Sequence, residues 1–136
     1  MTDRELLELA AKAADIFLTP ESLARAFPKW KWDKYFELRH EGDLGVSGAV
    51  LVYDYDGKLS GTTRKAWNPL TDDGDALRLA VTVGLGVSVP LGYKRTDVVA
   101  FRDSRIGVVE SHGSDPLAAT RRAIVRAAAE IGRQMP

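Results

Sequence analysis

The chain has 136 residues, a length that suits one domain with a sizeable buried core. Its 19 basic and 19 acidic residues balance, which argues against a protein that binds nucleic acid over its whole surface. Cysteine is absent, which excludes disulfides, thiolate catalysis and cysteine metal sites. No apolar run has the length of a membrane span and the first residues are charged, so we expect a cytoplasmic protein without a membrane partner.

The first predicted element is an amphipathic helix over residues 3–17. Thr2 and Glu5 have the spacing of a capping box, which satisfies free N–H groups at a helix start. Apolar residues then recur on one predicted helix face: Leu6, Leu9, Ala10, Ala13 and Phe17, with Leu7, Ile16 and several alanines widening it. A short second helix is predicted from Pro20 to just before Pro28.

Residues 29–36, KWKWDKYF, alternate basic and aromatic side chains. On a strand, Trp30 and Trp32 share one face while Lys29 and Lys31 share the other. Such tryptophans cover the edge of a core, contact a partner protein, or stack on the bases of a single-stranded nucleic acid. Core coverage is favoured, and these four residues are the candidates for partner contact.

Two hairpins are predicted from apolar residues that recur with a period of two. Residues 46–55 and 58–65 form the first, joined at Asp56-Gly57, the strongest hairpin dipeptide in the chain. Residues 97–102 and 105–111 form the second, with a tight connection between them.

Residues 67–80, WNPLTDDGDALRLA, lead from the first hairpin into a helix. Pro69 stops the strand, and Asp72 or Asp73 is predicted to cap the helix, because a carboxylate accepts hydrogen bonds from free N–H groups. Trp67 is expected to pack at this corner against the sheet.

The helix that follows is expected to end near Gly84, in a left-handed conformation. Its buried face is predicted to include Ala76, Leu77, Ala80 and Val81. The acidic residues at its start do not match a calcium loop, because Ala80 stands where the glutamate ligand is required.

Asp115 or Ser114 is predicted to cap the last helix, which begins at Pro116 and runs to about Gly132. Its predicted buried face is lined by Leu117, Ile124, Ala128 and Ile131. The opposite face carries Arg122, Arg126 and Arg133, with Arg121 at the border. A stripe of this kind is a solvated face or a phosphate-binding face, and the solvated face is favoured.

No catalytic set is recognisable. His40 and His112 lack ligand-spaced partners for zinc, and the serine and aspartate that follow His112 are too close in sequence to form a triad. We therefore expect no catalytic residue, no metal and no cofactor. Carboxylates such as Asp72, Asp73 or Asp75 facing a pocket with a histidine keep a small hydrolase as the last hypothesis.

Residues 67–80 and residues 115–128, DPLAATRRAIVRAA, resemble two signature blocks of the phage ABA sandwich domain, a family of small bacteriophage and prophage proteins. The signature positions are Trp67, Pro69, Asp72, Asp73, Asp115 and Pro116. The resemblance covers roughly residues 45–134 and makes residues 19–43 an insertion. It implies an α-β-α layered domain encoded by a phage or prophage, and it implies no activity.

The predicted fold is a single α+β domain over residues 1–136, with a mostly antiparallel sheet of about four or five strands layered with amphipathic helices. The predicted function is a phage accessory protein that binds a host or phage protein in the bacterial cytoplasm without catalysis. Nucleic acid or a nucleotide is the second partner considered, bound by the arginine stripe and the Lys29 and Lys31 edge. The oligomeric state stays open.

Overall fold

A computed structural model describes much of the chain: residues 1–15, 35–39, 50–54, 62–89 and 97–136. The chain divides into two compact units. One combines residues 1–14 with residues 69–136, and we call it the helical unit; the other spans residues 15–68. Three helices and six strands lie among the described residues, which confirms the α+β class.

The unit of residues 15–68 contains one antiparallel sheet with the order β1-β2-β3. Its strands are β1 (Tyr35–Arg39), β2 (Val50–Asp54) and β3 (Thr62–Ala66). The predicted pairing of the first hairpin is confirmed, but its register differs. Asp54 pairs with Thr62, whereas a two-residue turn at Asp56-Gly57 would pair Asp54 with Leu59. Residues 55–61 themselves lie outside the described part.

The helical unit holds all three helices and the second sheet. Its elements are α1 (Asp3–Ala13), α2 (Asp73–Val83), β4 (Gly86–Ser88), β5 (Asp97–Phe101), β6 (Gly107–Ser111) and α3 (Pro116–Gln134). The strands form an antiparallel sheet with the order β4-β5-β6. The prediction of one sheet with four or five strands is therefore wrong, because the described strands form two sheets of three.

Hydrogen bonds agree with the predicted starts of the three described helices and with the predicted stop of α2. Helix α1 was predicted over residues 3–17 and ends at Ala13. The Thr2 N–H donates to Glu5 Oε2 at 2.6 Å while the Glu5 N–H donates to Thr2 Oγ1 at 3.2 Å, which completes the capping box of α1. The Asp115 carboxylate caps α3, accepting from the Ala118 N–H at 3.0 Å, and Pro116 follows in the first turn. Gly84 ends α2 in the left-handed region, with φ of 73°.

Helix α3 packs on one face of the β4-β5-β6 sheet. Val98 and Ala100 of β5 and Val108 of β6 point to this face and are buried. The alternate residues Phe101 and Val109 lie on the opposite face and are exposed. The sheet therefore buries one face against α3.

Helix α1 packs along α3 and runs parallel to it. Asp3 contacts Arg122, and Lys12 near the other end of α1 contacts the Met135 carbonyl. Between these points the backbone of Leu9 lies directly against Gly132, where any side chain larger than hydrogen would overlap it. Gly132 was predicted to end α3, but the helix continues to Gln134. Its role is close helix packing.

The buried face of α1 is rotated relative to the predicted one. Leu6, Leu7, Ala10 and Ala11 are buried, whereas Leu9 and Ala13 are half-buried. The two alanines allow the close approach of α3 that Gly132 allows from the other side. Among the described helices, none has the length and apolar character that a bilayer crossing needs.

Candidate functional site

A groove of about 380 Å³ lies in the helical unit between α2, α3 and the strand β4. Its apolar lining includes Leu77 from α2, Leu117 and Ile124 from α3, and Val87 and Val89 from β4 and the residue after it. All these residues belong to one compact unit of the chain. The groove is therefore a site that a single folded unit presents.

Large apolar side chains line the groove and remain exposed. The exposed fractions are 65% for Leu77, 60% for Leu117, 37% for Val87 and 36% for Val89. Single exposed apolar residues are ordinary, but several that line one concave surface are typical of a binding site. The groove is therefore the strongest candidate binding site in the described part of the chain.

The helix faces explain how the groove forms. From α2, Ala76, Leu77 and Ala80 reach it, and from α3, Leu117 and Ile124 do so, at the spacing of one side of each helix. The small alanines are buried where the helices meet. The leucines lie farther out, where no described side chain covers them.

The sequence-based assignment of the core was wrong at these leucines. Leu77 and Val81 were predicted on the buried face of α2, yet Val81 is 74% exposed and Leu79 is buried instead. Leu117 was predicted on the buried face of α3 and is also exposed. Helical periodicity identifies an apolar face, but it does not show how far a neighbouring element covers that face.

Arg121 forms the polar boundary of the groove. Its Nε donates to the Leu70 carbonyl at 2.9 Å, and its Nη1 donates to Asp73 Oδ1 at 2.7 Å. The side chain is only 17% exposed, so the two hydrogen bonds fix its position. Arg121 thereby joins the turn before α2 to α3. Because Asp73 lies 48 positions away, no local spacing in the sequence indicates this pair.

The aspartates at the start of α2 bind groups of the protein itself. Asp72 accepts from the Asp75 N–H at 2.8 Å, which confirms the predicted cap. Asp73 binds Arg121, and Asp75 accepts from Arg78 at 2.7 Å. No cluster of three histidines or carboxylates able to hold a metal occurs within the residues that the structure describes.

The hydrolase hypothesis loses the observation that motivated it, because these carboxylates already bind N–H groups and guanidiniums of the protein. His40 lies outside the described residues. His112 is half-buried just after β6, and its Nε2 has no hydrogen-bond partner in the described part of the chain. The nearby Asp115 caps α3.

The predicted arginine stripe is occupied by ion pairs. The pairs are Arg122 with Asp3 at 3.0 Å, Arg126 with Glu110 at 2.7 Å and Arg133 with Glu130 at 2.7 Å. The Arg133 hydrogen bond holds the pKa of Glu130 below its ordinary value. Three guanidiniums thus face three carboxylates, an arrangement that favours pairing within the protein over phosphate binding. Nucleic-acid binding stays a prediction.

The aromatic and basic candidates Trp30, Trp32, Lys29 and Lys31 lie outside the described residues, as does most of the predicted insertion, residues 19–43. Of the signature positions, Trp67 and Pro69 are buried, in agreement with a role in folding. Comparison with known proteins gives no match to a family model, a curated protein or a solved structure.

Proposed function

We propose that this chain is a phage- or prophage-encoded accessory protein that binds a phage or host protein in the bacterial cytoplasm and does not catalyse a reaction. The observation that carries the binding role is the groove between α2, α3 and β4, with its exposed leucines and valines. The resemblance of residues 67–80 and 115–128 to the phage ABA sandwich domain supports the phage origin.

The finer architecture of that family belongs to the same proposal. An α-β-α sandwich has helices on both faces of its sheet. Helix α3 covers one face of the β4-β5-β6 sheet, and the opposite face exposes Phe101 by 45% and Val109 by 56%. Under this proposal, that face is the place of the second helical layer.

The chemistry of the groove favours a protein as its partner. Its exposed lining is mostly aliphatic, and its guanidinium, Arg121, already binds Asp73. A phosphate or a nucleotide requires unpaired cationic groups, whereas a protein segment buries aliphatic side chains. Nucleic acid therefore ranks second, since the stripe of Arg122, Arg126 and Arg133 is paired as well.

Site-specific photo-crosslinking in phage-carrying bacteria tests the proposal. A photoreactive amino acid at Leu77 reports on the groove, and the same amino acid at Val81 is the matched control. Both residues are exposed on α2, but only Leu77 lines the groove. We expect one defined protein, identified by mass spectrometry, to crosslink at Leu77 and not at Val81.

A second substitution connects this crosslink to the groove. Leu117→Asp places a charge on the facing helix at a residue that is 60% exposed, so the fold should stay intact while the crosslink at Leu77 is lost. Equal crosslinking at Leu77 and Val81, or a Leu77 crosslink that survives Leu117→Asp, contradicts the proposed function.

A further inference from the structure

The direction of the backbone groups in the β4-β5-β6 sheet follows from one hydrogen bond. The Arg102 N–H donates to the Ile106 carbonyl at 3.1 Å, next to the last strand pair of β5 and β6. Hydrogen-bonded and non-bonded pairs alternate along an antiparallel ladder, so Ala100 bonds to β6. The alternate residues Val99 and Phe101 therefore direct their N–H and C=O groups towards β4.

This alternation fixes the exposed groups of β4. Phe101 pairs with Gly86, and Val99 pairs with Ser88. Val87 lies between them, so its N–H and C=O point away from β5, to the free side of the strand. The Phe101 ring lies over Gly86 on the sheet face opposite to Val87: a Cβ on Gly86 would lie 2.7 Å from Cζ of the ring.

The other edge of the sheet is occupied. The same alternation directs the Val109 carbonyl of β6 outward, and it accepts a hydrogen bond from Arg126 Nη1 at 3.2 Å. Arg126 also binds Glu110 on the same strand, which holds the guanidinium at this edge. Within the described residues, no strand pairs with the free side of β4. An unpaired edge of this kind can accept another strand.

The side chains at this edge face the groove. Val87 lines it, and so does Val89, which has the same orientation two residues later. An extended segment laid antiparallel along β4 would direct alternate side chains into the groove, because paired residues share a sheet face. The apolar lining and the unpaired backbone groups thus select the same occupant, a strand with alternating apolar residues.

The charged side chains at the start of α2 indicate which charge the bound segment carries at that end of the groove. Three carboxylates lie there, Asp72, Asp73 and Asp75, with the two guanidiniums of Arg78 and Arg121. The side chains of Asp72 and Asp73 are 60% and 63% exposed. A lysine or arginine on the occupant complements this end of the groove.

We propose that the groove binds an extended segment of a partner protein as a fourth strand beside β4. The segment carries β-branched or other apolar residues at alternate positions and a basic residue at the end near Asp72 and Asp73. Backbone hydrogen bonds to Val87 supply part of the affinity, and the pockets between α2 and α3 select the side chains. The inference rests on the proposed function and names the form of its partner.

Matched synthetic peptides test strand addition. The probe is KVTVTV, capped at both ends, because its valines would face the groove and direct their N–H groups to β4. One variant is N-methylated on the first two of its three valines and another on the two threonines, so that apolarity and bulk match. We expect methylated valines to weaken binding at least about tenfold and methylated threonines to leave it unchanged, measured by calorimetry.

A lysine-to-glutamate version of the probe tests the charge, and we expect it to bind more weakly at low salt. Hydrogen exchange of the full chain locates the contact. Without peptide, the Val87 amide should exchange faster than the Ser88 amide, which bonds to β5. With peptide, the Val87 amide should become protected.

Val87→Pro removes the outward N–H and leaves the ladder to β5 intact, so the fold should persist while peptide affinity falls. If that variant does not fold, the methylated peptides still decide the question. Equal affinity of the two methylated peptides, or no binding of KVTVTV, overturns strand addition. Neither result affects the crosslink at Leu77, which tests the proposed function separately.

Discussion

Helix α3 packs against α1 on one side and against α2 on the other, and the two sides differ in how much apolar surface stays exposed. On the α1 side, Gly132 brings the backbones into direct contact, and Arg126 occupies the edge of the sheet. On the α2 side, the helices meet through alanines and leave the groove with Leu77 and Leu117 exposed.

The difference shows how one helix serves packing and recognition together. On the α1 side, Gly132 allows close contact of the two helices, and Leu6, Leu7, Ala10 and Ala11 are buried. On the α2 side, long aliphatic side chains stay exposed because no described element covers them. A bound partner would bury this apolar surface. Substitutions on the first side should therefore change folding, and substitutions in the groove should change binding.

The largest effect on stability is expected in the residues just before α2. Trp67 is 6% exposed, so Trp67→Ala should destabilise the protein by about 3–5 kcal/mol, because it leaves a cavity and loses buried apolar area. Asp72→Ala removes a single cap and should cost about 1 kcal/mol. Urea unfolding of both variants measures the difference. An unchanged midpoint for Trp67→Ala would show that the ring does not support the fold.

The contact between α1 and α3 should be nearly as sensitive. In an ordinary helix, Gly→Ala stabilises by about 1 kcal/mol. Gly132→Ala should instead destabilise by about 3 kcal/mol, because the added methyl group overlaps the Leu9 backbone. Gly107→Ala is the control, since nothing lies within 4 Å of its added methyl group. Thermal unfolding that shows Gly132→Ala to be neutral would contradict the close contact.

A smaller effect is expected at the occupied edge of the sheet. Arg126→Met should cost about 1 kcal/mol at most, because the ion pair is partly exposed. It also frees the Val109 carbonyl, so the variant should self-associate through β6 as concentration rises. Arg133→Met is the matched control, since Arg133 binds Glu130 on its own helix. Sedimentation velocity distinguishes the two; monomeric Arg126→Met would disprove the protective role.

The smallest effect expected is on the dependence of stability on pH in the acidic range. The Arg133 hydrogen bond lowers the pKa of Glu130 below its ordinary value of 4.5. The carboxylate is therefore favoured in the folded state, and its stabilisation is present above that value and is lost as pH falls below it. Glu130→Gln should reduce the loss of stability between about pH 5 and about pH 3, measured by urea unfolding. An unchanged acid dependence would indicate that the pair contributes nothing.

Local signals in the sequence located the helices of the helical unit. Capping residues act within three positions, so Thr2, Asp72 and Asp115 indicated where the three helices start. The left-handed stop at Gly84 has the same local origin. The second hairpin was also predicted, because its two short apolar strands are close in sequence. In its turn, Asp103 accepts from the N–H groups of Arg105 and Ile106.

Features that depend on distant residues were missed. The contact of Gly132 with Leu9 and the pair of Arg121 with Asp73 join positions that no periodicity relates. The groove was not predicted for the same reason. Leu77 and Leu117 have the spacing of core residues, and only the three-dimensional structure shows that they are exposed beside β4. The arginine stripe was located, but its pairing partners come from other elements.

The parallel packing of α1 and α3 also sets the order in which the chain can fold during synthesis. Asp3 and Arg122 are 119 positions apart. At about 5–20 residues per second, a ribosome needs roughly 6–24 s to make that length. Throughout this interval, α1 has an apolar face and no α3 to bury it, and residues 15–68 are synthesised before α3 is. A chaperone that binds short apolar segments therefore has more time to bind α1 than to bind the later helices.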